Sequence, residues 1–236
     1  MNPKSAYYKY RLKFFKKGSC IFIGHLDLQG IFNKAIKRAR LPIAYSAGFN
    51  PHQLISFAAP LPLGMAGYGE LVDIFLTTLM PTDDIVKTLN AQMPFGMAIL
   101  DCTYIPEAGK PSAALVHSAT YAISFAFDFG INDIIKQVLA KDEIIITKKT
   151  KKGLSPADIR PDIHSLKLEL ESGLGDNKLE LDNELDSSPP LSLIAELACG
   201  SNKNLKPDVV AKYMLELAKV ADKDCNIEYK RLAVHI

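Results

Sequence analysis

Tyr7-Tyr8-Lys9-Tyr10-Arg11-Leu12-Lys13-Phe14-Phe15, then Leu26-Asp27-Leu28-Gln29-Gly30-Ile31-Phe32-Asn33-Lys34-Ala35-Ile36-Lys37-Arg38-Ala39, is the stretch that decides the fold. In the first run Tyr8, Tyr10, Leu12 and Phe14 alternate with Lys9, Arg11 and Lys13. A period of two predicts a half-buried strand with one basic face. Lys16-Lys17-Gly18 ends it, and a short apolar piece, Cys20 to Ile23, leads to Gly24-His25-Leu26-Asp27. From Leu26 the period becomes helical. Leu28, Ile31, Phe32, Ala35, Ile36 and Ala39 fall on one stripe, and Asn33, Lys34, Lys37, Arg38 and Arg40 cover the rest. Bases crowd the last turn, where they suit the helix dipole. Pro42 stops the helix, and Asp27 or a residue just before it is placed to cap its start.

Working outward, Leu54 to Ala58 and Gly69 to Thr78 read as strands. Pro81-Thr82-Asp83-Asp84 opens a helix with Ile85 and Leu89 on its apolar side, and Met97 to Tyr104 is a strand. Strand, helix, two strands, helix, strand is a βαββαβ order. Pro106-Glu-Ala-Gly-Lys-Pro111 reads as a linker, and a related pattern follows it. Ala119 to Phe127 reads as a strand, Ile131 to Ala140 as a helix and Glu143 to Lys149 as a strand. A loop runs from Lys151-Lys152-Gly153 to Arg160-Pro161. Paired strands are predicted at 163–171 and 178–181, helices at 191–198 and 207–220, and a strand at 227–236. The expected fold is α+β, with tandem ferredoxin-like (βαββαβ-type) halves and antiparallel sheets. The halves are 1–106 and 112–236, joined by 107–111.

Charge is divided unevenly between them. The first sixty residues carry ten Lys/Arg and one acid, Asp27, whereas the whole chain of 236 residues has a net charge of only +2. Such asymmetry points to a polyanionic partner. No apolar run reaches the ~20 residues that span a bilayer, and the first ten residues lack an apolar signal core. A cytoplasmic protein without a membrane partner is expected. Cys20, Cys102, Cys199 and Cys225 are scattered, as are the five histidines, so neither a structural zinc nor an iron–sulfur cluster is expected. No Walker loop or GxGxxG is present, and no cofactor is expected.

Inside the basic block lies Tyr45-Ser46-Ala47-Gly48-Phe49-Asn50-Pro51-His52, followed by Ile55-Ser56-Phe57. Gly48 permits a positive φ, and Pro51 restricts Asn50 to extended geometry. This turn is placed to bring Ser46, Asn50 and His52 to one small volume, with chemistry that suits phosphate and sugar oxygens. Phe49 and Phe57 are candidates for base stacking. The bland alternative is a tight corner with Phe49 as its core plug. His25 and Asp27 stand two residues apart at the helix entrance. A carboxylate bonded to the imidazole would suit His25 to act as acid, base or phosphate contact, whereas the plain alternative is an Asp cap with a packed His. Arg38 and Arg40, with Lys34 and Lys37, form a basic helix end, which Arg11 on the strand extends. Glu70 and Asp73 are expected to pair with that helix. Lys152 and Arg160 belong to a second basic loop.

His25-Leu-Asp-Leu, Arg38-x-x-Leu41-Pro42, Tyr45-Ser-x-Gly-Phe-Asn-Pro-His52, Ile55-Ser-Phe57, Pro60-Leu, Gly69-Glu70-x-x-Asp73 and Asp158-Ile-Arg-Pro161 together resemble the bacterial "radical SAM-linked protein" family, a domain of unknown function. One departure is Ala47, where that pattern leads one to expect Gln. The resemblance implies a radical SAM protein as partner. The chain has no cysteine triplet, so any cluster would sit on that partner. Three functions remain open. The first is an RNA-binding accessory protein presenting tRNA or rRNA, with Arg11, His25, Asp27, Arg38, Arg40, Tyr45, Ser46, Phe49, Asn50, His52, Ser56, Lys152 and Arg160 in contact. The second is a metal-independent endoribonuclease using His25, His52 or Tyr45. The third is a docking module for the radical SAM partner.

Overall fold

The computed structural model describes residues 7–106, 110–150, 153–169, 192–221 and 226–236. Contacts divide the chain into two units. One comprises residues 1–118, 199–202 and 231–236, and the other 119–198 and 203–230.

In the first unit the opening alternation forms strand β1, Tyr8–Lys16. Tyr10, Leu12 and Phe14 are buried on one face. A 3-10 turn, Gly18–Phe22, leads to helix α1, His25–Arg38, followed by β2, Ile55–Phe57, and β3, Ala66–Leu76. Helix α2, Thr82–Asn90, and strand β4, Met97–Ile105, complete the set. The strand order is β4-β1-β3-β2, with every neighbouring pair antiparallel. Leu28, Phe32, Ala35 and Ile36 of α1 and Ile85 and Leu89 of α2 share one apolar core with the inner faces of β1, β3 and β4. Phe14, Phe32 and Phe57 meet edge-on, with ring centroids 5.0–6.0 Å apart, a geometry aromatic rings favour. The N-cap of α1 is Gly24, and no side chain caps it. Asp27 lies in the first turn rather than at the cap.

The other face of β1 holds buried charge. Lys9 Nζ lies 3.0 Å from Asp73 Oδ2, and Arg11 Nε donates to Asp73 Oδ1 at 2.8 Å. Glu70 and Asp73 therefore pair with cations on strands, not with α1 as expected. Glu70 takes a two-point contact from Arg231, which also donates to the Ala59 and Pro60 carbonyls. Antiparallel register places Arg11 directly opposite Asp73, so the ladder itself supplies the pairing. Gly69 admits the close approach of the last strand, since a Cβ there would stand 2.5 Å from the Leu232 carbonyl oxygen.

After the short helix α3, Ser112–Leu115, comes β5, Ser118–Phe125, most of which lies in the second unit. Helix α4, Ile131–Leu139, follows, and then β6, Ile145–Thr150, and β7, Gly153–Asp158, pair as an antiparallel hairpin. The expected loop after Gly153 is thus a strand. Its Pro156 disguises it, although an edge strand tolerates proline. Strand β8 is Ile163–Glu169 and β9 is Ser192–Ala198. The predicted helix at 191–198 is this β9, antiparallel to β8. Leu193, Ala195 and Leu197 alternate into the core, and a short apolar run fits either period until a neighbouring strand selects one. The predicted strand at 178–181 lies outside the described residues. Helix α5, Pro207–Leu217, and β10, Ile227–His235, end the chain. Within this unit β5, β9 and β8 are neighbours in that order, and α4 packs on β8 and α5. The result is a mixed α+β fold with a mostly antiparallel sheet. Among the described residues no helix is long and apolar enough to cross a membrane.

Candidate functional site

The basic excess of the first sixty residues is partly neutralised inside the fold. Lys9 is 2% exposed and bound to Asp73 and to the Lys110 carbonyl. Arg11 is held by the same carboxylate. Lys16 is buried, with its Nζ donating to the Ile21 and Ile23 carbonyls, and burial lowers its pKa. The exposed cations of α1 and its end are Lys34, Lys37, Arg38 and Arg40. They form a continuous basic helix end.

Beside α1 lies the turn 45–53. Tyr45 and Gln53 pair across its base as an isolated antiparallel bridge. The Ser46 backbone N–H donates to the His52 carbonyl at 2.8 Å. Ser46 Oγ lies 2.8 Å from His52 Nδ1 and accepts from the His52 backbone N–H at 3.1 Å. A serine hydroxyl has one proton to give and two lone pairs, so Ser46 meets Nδ1 as donor or as acceptor according to the His52 tautomer. Gly48, at φ 115°, turns the tip. Phe49 at the tip is fully exposed, which replaces the alternative of a core plug. Asn50 is exposed as well. Gln53 Nε2 donates to the Asn33 carbonyl of α1 at 3.2 Å and so ties the turn to the helix that carries the cations. Sequence reasoning passes over Gln53. Its only signal is a polar residue where the chain turns apolar again.

The other candidates are placed elsewhere. The His25 ring meets Phe57 edge-on at 5.4 Å, at the start of α1, whereas Arg38 ends that helix about 20 Å away. His25 and Asp27 share no hydrogen bond or ion pair among the described residues. Ser56 stands opposite Asp73 in the ladder. In the second unit, Arg160 directs its guanidinium at the carbonyls of Leu139, Lys141 and Ile163, where it closes the end of α4. Lys152 lies outside the described residues. The structure thus unites Tyr45, Ser46, Phe49, Asn50 and His52 on one turn, and places His25 at the start of α1 and Arg11 on β1, while Arg160 belongs to the second unit. Among the described residues no three His, Cys, Asp or Glu side chains gather to hold a metal. Cys20, Cys102 and Cys199 are buried, and burial, with Asp101 and Asp83 nearby, pushes the Cys102 thiol pKa up to about 12.

Arg40 has φ 54°, in the left-handed region. Its N–H bonds the Lys37 carbonyl and that of Leu41 bonds the Ile36 carbonyl, the crossed pair that closes a helix when the residue after the cap turns left-handed. Lys219 does the same after α5. Glycine is the usual residue there, and an L side chain costs about 1 kcal/mol. Arg40→Gly is therefore expected to raise stability by about 1 kcal/mol in urea titration while weakening binding of any polyanion at this helix end. Equal affinity of variant and parent would remove Arg40 from the site.

A family model described as "Uncharacterized protein conserved in bacteria (DUF2344)" matches residues 9–207, a span that includes α1, the turn and both basic segments. No curated protein matches the chain.

Proposed function

We propose that this chain, which belongs to the bacterial family DUF2344, is an RNA-binding accessory protein that presents tRNA or rRNA to a radical SAM partner in the cytoplasm. The observation that carries the reading is the anchored turn. A fully exposed Phe49 and a Ser46–His52 pair are tied through Gln53 to a helix whose last turns expose Lys34, Lys37, Arg38 and Arg40. An exposed aromatic beside fixed hydrogen-bonding groups and a basic helix end is the combination that holds unpaired nucleotides, the ring stacking a base while the cations follow the backbone. The radical SAM partner rests on the resemblance of the His25–Leu28, Tyr45–His52 and Gly69–Asp73 motifs. We also read both halves as ferredoxin-like. The order β4-β1-β3-β2 supports this for the first half, and the succession β5, α4, β8, β9, α5, β10, with the β6–β7 hairpin inserted, for the second.

Four phosphates neutralised by the four exposed cations correspond to a slope of log K on log salt of about −3 for a single strand. Raising salt from about 50 to about 200 mM would then weaken binding roughly fifty-fold. Arg38→Ala with Arg40→Ala should halve that slope. Gel shifts of bulk tRNA and rRNA in EDTA test this, and binding that ignores salt or the double substitution would sink the reading. The Ser46–His52 contact favours one second reading, metal-independent RNA cleavage with His52 as the acid or base. A denaturing gel of the same samples separates the two. Intact RNA supports the accessory role, whereas breakage that disappears with His52→Ala supports the enzyme.

A further inference from the structure

A groove of about 630 Å³ in the second unit is lined by Ile145, Ile146, Thr147 and Lys148 of β6 and by Asp208, Val209, Lys212, Tyr213 and Glu216 of α5. Four consecutive strand residues line it. The face of a strand presents only alternate residues, so the groove runs along the edge of β6. The helix residues fall at spacings of one, three and four, which is one face of α5.

Among the described residues the edge is open, since strand β6 pairs there only with β7 in a two-stranded sheet. Thr147 stands opposite Pro156, which has no N–H, so that pair is one the ladder leaves unbonded. The N–H and C=O of Thr147 consequently point away from β7, on the side where the groove lies. The same proline blocks the far edge of β7 against pairing. Among the described residues Lys148, Asp208, Lys212 and Glu216 have no ion-pair partner.

We propose that this groove takes an extended peptide of a protein partner as an added strand on β6, reading a basic–x–acidic–x–basic pattern against α5. Main-chain bonding to an open edge supplies affinity, and side chains against the helix supply selectivity. The charges fix the pattern. Asp208, Lys212 and Glu216 follow one another at four-residue steps, about 6 Å apart along the helix. Alternate residues of a strand repeat every ~6.7 Å. Three peptide side chains on one face therefore meet an acid, a base and an acid in turn. Val209 and Tyr213 provide apolar contact between them. This inference stands apart from the RNA reading, which concerns the other unit.

The test uses the full chain and a fluorescein-labelled peptide, Lys-Val-Glu-Val-Lys, with Glu-Val-Lys-Val-Glu as its charge-swapped control, read by anisotropy. Saturable binding at least ten-fold tighter for the first peptide is expected. Thr147→Pro removes an N–H that no ladder bond uses, and should weaken binding at least ten-fold with an unchanged circular dichroism spectrum. Lys212→Glu turns the central contact of the first peptide repulsive while Asp208 and Glu216 keep theirs, so it should sharply reduce the preference between the peptides without reversing it. It carries the test if Thr147→Pro misfolds, and an unchanged preference would overturn the proposal. Absence of binding, equal affinity for both peptides, or displacement of the peptide by poly(U) would overturn the proposal. The last outcome would assign the groove to RNA instead.

Discussion

Asp73→Ala is expected to lower the unfolding free energy by about 3–5 kcal/mol, the usual cost of removing one member of a buried ionic cluster. Asp73 is 0% exposed. Its carboxylate receives Lys9 Nζ at 3.0 Å, Arg11 Nε at 2.8 Å and the Ser112 backbone N–H at 2.9 Å. Alanine would leave Lys9, itself 2% exposed, with a carbonyl in place of a counterion. The Ser112 N–H would lose its acceptor too, and with it the tie that fixes the start of α3 against β3. Burial alone would raise the Asp73 pKa, but the bonds from Arg11, Ser112 and Lys9 outweigh it and hold the group below its ordinary 3.8. The folded chain thus prefers the ionised form more strongly than the unfolded chain does. That stability is present above about pH 4 and is lost as pH falls through the depressed folded value. Urea titrations of the parent and Asp73→Asn at pH 7 and pH 3 check this. The gap between the two proteins should be widest at pH 7 and narrow at pH 3. A constant gap would show that Asp73 acts through shape and not through charge.

This cluster also marks the boundary of what the sequence makes legible. The alternation of Tyr8 to Phe14 and the stripe from Leu28 to Ile36 foretell β1 and α1 because burial in each follows a local period. The turn at Tyr45–His52 is legible for a similar reason, since Gly48 and Pro51 act on their immediate neighbours. Partners distant in sequence are not legible. Lys9 and Arg11 read as a free basic face because their counterion lies more than sixty residues away, and only the β1–β3 register puts it opposite them. Arg160 reads as part of a basic loop, open to phosphate or to solvent, because nothing beside it announces that three carbonyls around the end of α4 converge there. The open edge of β6 was hidden by Gly153 and Pro156, which punctuate a sequence as a loop does. The 192–198 run fits a helix until β8 fixes the period of two.

Arg231→Met with Glu70 intact is expected to be the second severe change, again about 3–5 kcal/mol, because it strands a carboxylate that is 3% exposed. The pair joins β3 to a strand 161 residues further along the chain. Arg231 also bonds the Ala59 and Pro60 carbonyls, which follow β2 and the Tyr45–Gln53 turn. Replacing both partners, Glu70→Leu with Arg231→Met, removes the unpaired charge, and apolar replacement of a buried pair is often neutral. Those two carbonyls would still lose their donor, which costs about 1–3 kcal/mol. The double variant should therefore fall between the parent and the single variants, and a double-mutant cycle should return a coupling of at least about 2 kcal/mol. Equal losses in the double and single variants would mean that the carbonyl contacts, not the ion pair, hold this corner. RNA gel shifts below the unfolding temperature add a second readout. If Arg231 serves only as scaffold, the folded double variant binds RNA within about three-fold of the parent while its stability drops. A loss of affinity as large as that of Arg38→Ala with Arg40→Ala would show that the corner it braces positions the turn, and that the binding surface depends on the last strand of the chain.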